Sequence, residues 1–66
     1  MVQKVIDVVG VSKEGFAKAA ANAVQEAAKT VHGIEWARVS DFEMVLDEVN
    51  VVQYRATARI YFDVER

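Results

Sequence analysis

From Ile34 onward the sequence alternates with a period of two, in two long runs separated only by Asp47-Glu48-Val49-Asn50. Such alternation sends successive side chains to opposite faces of a strand. A connection this short joins the runs, Glu35–Leu46 and Val51–Val64, as an antiparallel hairpin, although it lacks the Asn-Gly or Asp-Gly pair of a favoured turn. Pairing Asp47 with Asn50 sets a register in which Val45 faces Val52, Val39 faces Ala58 and Ala37 faces Ile60. With Ala56 and Phe62 these residues make one apolar face. The opposite face then carries Trp36 opposite Tyr61, Arg38 opposite Arg59, Ser40 opposite Thr57, Phe42 opposite Arg55 and Met44 opposite Gln53. Both faces present large apolar groups, so both need cover, and that requirement limits the folds open to the chain.

The rest of the sequence supplies cover for one face only. Val2 to Val9 is β-branched and apolar-rich, with Gly10 at its end, and predicts a first strand. Ser12 suits a helix N-cap, with Glu14 in the first turn. Phe16, Ala20, Ala23, Val24, Ala27 and Val31 recur at helical spacing, while Lys13, Lys18, Asn22, Gln25, Glu26 and Lys29 lie largely off that stripe. Gly33 follows as a C′ residue. A helix over Lys13–Val31 is expected, and its alanine-rich stripe implies a close approach to the sheet. The order β-α-β-β predicts an α+β fold, a three-stranded antiparallel sheet partly wrapping one helix, in a single domain over residues 1–66. One helix covers one face. Trp36, Phe42, Met44 and Tyr61 are left on the other, and exposed apolar groups on that scale mark an interface or a ligand site. Arg38 and Arg59, opposed across two strands, require an anion or an acidic neighbour.

A chain of 66 residues loses about 1.5 kcal/mol of conformational freedom per ordered residue, which a small core only about balances. Small proteins close that gap with disulfides, a metal or self-association. There is no cysteine, and His32 is the one histidine, which excludes a disulfide framework and argues against a structural zinc site. Self-association remains, and the 53% hydrophobic content fits it. The formal charge of −2 argues against nonspecific nucleic-acid binding. No apolar run reaches the roughly 18 residues of a membrane span. The segment Met1-Val2-Gln3-Lys4-Val5-Ile6-Asp7 lacks the apolar core of a signal peptide, so a cytoplasmic location is the expectation.

The order and spacing of four segments resemble the dodecins over nearly the whole chain. These are the strand ending Val9-Gly10-Val11-Ser12, the helix with Phe16 and Ala23-Val24, Trp36 just inside the second strand, and the return through Tyr54-Arg55-Ala56-Thr57. The resemblance implies a hollow homododecamer that binds riboflavin, FMN or FAD for storage or sequestration and is not an enzyme. It implies that Trp36 stacks on the isoalloxazine ring, an electron-poor plane that gains from an indole. Packing a subunit interface is the other role open to Trp36. Arg55 stands where flavin-binding members usually carry glutamine. Glutamine donates and accepts, whereas arginine only donates. Arg55 either contacts flavin carbonyl oxygens or stacks on an indole and fills the pocket. Val45 lies where some members place a polar or charged residue. Some relatives with arginine at the Arg55 position look like non-flavin proteins described as calcium-binding.

No nucleophile and base are placed together by the sequence, and no glycine-rich phosphate loop is present. Ser12 reads as a cap and His32 as an exposed residue at the helix end. Asp41, Glu43, Asp47 and Glu48 make an acidic stretch without the spacing of a calcium loop. A solvated edge and a cation site gathered from several subunits are its two readings. The functional alternatives are therefore a flavin-binding module, a similar shell that binds no flavin, holding calcium or another small ligand, and, least supported because no acid/base residue is evident, an enzyme using a bound flavin.

Overall fold

The computed structural model describes residues 2–64 and places β1 (Gln3–Ser12), α1 (Phe16–Ala28), β2 (Ile34–Asp47) and β3 (Asn50–Asp63) in that order along the chain. The three strands form one antiparallel sheet in the order β1-β3-β2, so the last strand is central. The helix lies on one face, over β1 and β3, and barely touches β2. This is the expected α+β arrangement.

The helix is shorter than its apolar stripe suggests. Ser12 does not cap it. It ends β1, and its Oγ accepts from the Glu14 amide at 2.9 Å, which stabilises the turn between strand and helix. The N-cap position falls to Gly15, whose carbonyl accepts from Ala19 N, and no side chain caps the helix. At the other end the amides of Lys29 and Thr30 reach back to Glu26 and Ala27 in a tightened last turn. The β-branched Thr30 and Val31 then leave the helix. Gly33, expected just past the helix, instead directly precedes β2. Its φ of 77° is left-handed, and its carbonyl accepts from Asp63 N at 3.1 Å, which ties the start of β2 to the end of β3.

The buried core consists of Ala19, Ala23, Ala27, Ala56, Ala58 and Ile60. Ile6, Val8, Val24 and Ile34 pack at its margin. Small residues on both sides let helix and sheet approach closely, and Gly10 marks the tightest point. A Cβ there would collide with the Ala19 carbonyl oxygen and lie 2.7 Å from Ala23 N. Asn22 reinforces this seam by donating from Nδ2 to the Val11 carbonyl at 2.9 Å. β1 therefore runs on through Gly10 to Ser12 rather than stopping at Val9.

Such a core is too small to hold the chain alone. The chain exposes 4801 Å², against about 4,200 Å² for a compact monomer of its mass. Its radius of gyration of 13.4 Å likewise exceeds the roughly 11 Å of a compact chain this long. The excess lies in the β2–β3 hairpin, which extends past the helix and turns at Glu48-Val49, with Glu48 at φ 58° and Val49 at the exposed tip. Among the described residues no helix is long and apolar enough to cross a membrane.

Light scattering at micromolar concentration is expected to give a mass many times that of the chain, with little folded monomer. A monodisperse folded monomer would contradict this. At the seam, Ala23→Leu should destabilise by about 1–3 kcal/mol through overpacking. Gly10→Ala should do more damage because its collision is with backbone. Thermal melts that match the wild type would refute both.

Candidate functional site

The face of the sheet away from α1 is built differently from the simple register. The pairs Trp36–Tyr61, Ala37–Ile60, Arg38–Arg59, Val39–Ala58 and Asp47–Asn50 form as expected. Between Val39 and Asp41 the register shifts. Ser40 is an extra residue on β2, and Asp41 rather than Ser40 lies opposite Thr57. A second shift near the turn, with Val52 extra on β3, restores the pairing. A one-residue slip sends every following side chain to the other face. Phe42 therefore pairs with Ala56, and Met44 with Tyr54, on the helix side. Phe16 confirms the swap, meeting Phe42 and Tyr54 edge-on with ring centroids 5.1 Å away in each case. The expected pairs Phe42–Arg55, Met44–Gln53 and Val45–Val52 are replaced by Glu43–Arg55, Met44–Tyr54 and Val45–Gln53.

The outer face is consequently less apolar and more charged than the simple alternation suggests. The outward residues of β3 from Arg55 to Tyr61 are each flanked by one from each edge strand, giving rows Val5–Tyr61–Trp36, Asp7–Arg59–Arg38, Val9–Thr57–Asp41 and Val11–Arg55–Glu43. Asp7 resolves the repulsion between the two arginines. Arg59 Nε donates to Asp7 Oδ1 at 3.1 Å and a terminal nitrogen faces Oδ2 at 3.5 Å. The guanidinium pKa lies above the ordinary arginine value, raised first by its hydrogen bond to Asp7, then by the Asp7 charge and the nearby Tyr61 hydroxyl.

At one end of this face Trp36 and Tyr61 stack with ring centroids 3.8 Å apart and planes within 3°. Trp36 remains 47% exposed, because Tyr61 covers only one side of the indole. Arg55 stands toward the other end. It is half-buried, and its Nε is shielded from solvent without an acceptor among the described residues. A buried donor left unpaired is unfavourable, so its acceptor is to be sought beyond the described residues. Val45, opposite Gln53, lies one row beyond Arg55 on the same outer face.

The three residues singled out from the sequence thus share a face but not a place. Tyr61, beside Trp36, is six residues along β3 from Arg55, or about 20 Å at the rise of an extended strand. One chain cannot bring Trp36 and Arg55 against the same small ligand. The Tyr61 stack was missed by sequence reading, although the cross-strand pairing that produces it was not. Asp41 and Glu43 share the outer face, and no group of three or more His, Asp and Glu side chains among the described residues is placed to hold a metal ion.

Comparison with known proteins fits this geometry. A family model described as Dodecin matches residues 2–65. The chain is 39% identical over 61 residues to the calcium dodecin of Mycobacterium tuberculosis, spanning 92% of this chain and 86% of that protein. It superposes on a dodecin from Streptomyces davaonensis with a TM-score of 0.92 and 26% identity, covering 98% of this chain and 96% of that one. The crystal structure of the calcium-chelating calcium dodecin of M. tuberculosis superposes with a TM-score of 0.85 and 37% identity, over 98% and 93% of the two chains.

The charge row makes its own prediction. Asp7→Asn leaves Arg38 and Arg59 opposed without compensation. It should lower the thermal midpoint in dilute buffer, and the deficit should shrink in about 0.5 M salt, where exposed charges are screened. An equal deficit at both salt concentrations would mean that Asp7 acts through packing instead.

Proposed function

The chain belongs to the dodecin family, and from that premise we propose that it is a flavin-binding subunit of a closed homododecamer, storing or sequestering FMN, riboflavin or FAD without catalysing a reaction on it. The observation that carries this reading is the half-exposed indole of Trp36, held parallel to Tyr61 with its second side open. A flat, electron-poor ring system gains stacking energy on such a surface.

The separation of Trp36 from Arg55 supports a site made by two chains. In a two-fold contact, if Trp36 of one chain approaches Arg55 of the second, the reverse contact follows by symmetry. Each pair of chains then offers two indoles and two guanidinium groups. The unpartnered Arg55 Nε suits the carbonyl oxygens of an isoalloxazine, which accept hydrogen bonds, but not its ring N–H, which needs an acceptor. In this reading Trp36 stacks, Arg55 donates and Val45 supplies an apolar wall beside it. A cytoplasmic location accords with it.

A second reading is a shell of the same kind that holds calcium and no flavin. It draws on the similarity to calcium dodecin and on Asp41 and Glu43 sharing the outer face. Oxygen ligands from several chains would have to converge, because calcium takes six to eight.

Titration with riboflavin and with FMN separates the two. Flavin binding should quench flavin and Trp36 emission together. Trp36→Ala should weaken binding while the mass by light scattering stays the same. Arg55→Gln should weaken it by about 1–3 kcal/mol, the range of a hydrogen bond to a charged group. Tighter binding by Arg55→Gln would mean that Arg55 fills the site. No binding by wild type or Arg55→Gln at high micromolar flavin would remove the flavin reading, and calorimetric titration with calcium then tests the second.

A further inference from the structure

We infer that Tyr61 is the positioning residue of the flavin platform: it backs Trp36 so that the indole offers the ligand one open face in one orientation. The inference rests on the flavin reading proposed above and adds to it the group that prepares the site.

Trp36 needs such a group. It stands on β2, an edge strand that the helix barely touches, near the irregularity between Ile34 and Trp36 where Glu35 is extra. An exposed indole at such a place samples several rotamers, and ordering it on binding weakens affinity. Tyr61 removes that freedom. It lies directly across from Trp36 on the central strand, and the two rings are parallel at 3.8 Å, so the indole is held against the tyrosine before any ligand arrives.

Tyr61 is itself braced. It is half-buried, and its neighbour two residues back, Arg59, is clamped by Asp7 of β1. The support thus runs through all three strands, from Asp7 on β1 through Arg59 and Tyr61 on β3 to Trp36 on β2. With one side of the indole against Tyr61, the exposure left to Trp36 is its opposite side and edge. A bound isoalloxazine stacks there, making a pile of phenol, indole and flavin. The same geometry limits each Trp36 to one flavin ring.

The test compares wild type, Tyr61→Phe and Tyr61→Leu as assembled oligomers, each checked by light scattering. Trp36 is the one tryptophan, so its emission reports on this site alone. In Tyr61→Leu, acrylamide should quench the ligand-free emission more strongly, its anisotropy should fall, and FMN affinity should drop about tenfold through lost preorganisation. Tyr61→Phe keeps the ring and should recover most of that affinity and the protected emission. Wild-type affinity in Tyr61→Leu with unchanged quenching would overturn the inference and leave the flavin reading standing. Tighter binding by Tyr61→Leu would overturn it too, meaning that Tyr61 occupies the place of the ligand ring. A loss in Tyr61→Phe as large as in Tyr61→Leu would assign the effect to the hydroxyl, against the inference. No flavin binding by any of the three would remove the flavin reading, and this role with it.

Discussion

The seam between α1 and the sheet is closed by Gly10 beneath Ala19 and Ala23, with Ala27, Ala56, Ala58 and Ile60 completing it. So close an approach leaves little room for large side chains, and little apolar area is removed from water there. Burial stabilises by about 25 cal/mol per Å², and a core of five alanines and one isoleucine supplies little of it. The same closeness seats the helix over β1 and β3, so that it touches β2 only marginally and leaves the hairpin arm uncovered. The bare outer face and the uncovered arm follow from that one contact.

The bulge at Ser40 decides what the bare face is made of. Without it Phe42 would join Trp36 and Tyr61 outside. With it Phe42 turns inward against Phe16, and Asp41 and Glu43 turn outward beside Thr57 and Arg55. One inserted residue thus changes the outer face from an aromatic surface to one with an aromatic end and a charged middle. The second shift, with Val52 extra on β3, restores the pairing before the turn.

An elongated sheet with chemistry at two distant points suits assembly. Trp36 and Arg55 lie too far apart to serve one ligand in one chain, and in the proposed two-fold contact the partner's strands run in reverse, which brings the two ends together. The paired Asp7 and Arg59 between them lower the charge that such a contact would otherwise bring together. Their exposed ion pair contributes little to stability by itself, but it leaves Arg38 as the cation of that row without a carboxylate partner among the described residues.

Local sequence determined the four elements and their order, β1 by its β-branched composition and the others by periodicity, together with the hairpin and its turn pairing at Asp47 and Asn50. The switch from a period near four to a period of two is a local property that neighbouring residues carry. The alanine stripe also announced the close helix contact, though Ala19 escaped it and the helix ends at Ala28 and not Val31. Trp36 and Arg55 were legible as residues of interest through their resemblance to a known pattern. The tertiary structure decided which face Phe42, Met44 and Val45 occupy, that Tyr61 lies flat on Trp36, that Ser12 holds a turn instead of a helix, and that Trp36 and Arg55 are far apart. A bulge depends on how Ser40 and its strand fit against β3, and a ring stack depends on side-chain angles set by neighbours from other strands. Neither is written in the spacing of residues along a single strand, because both arise from packing between segments distant in the chain.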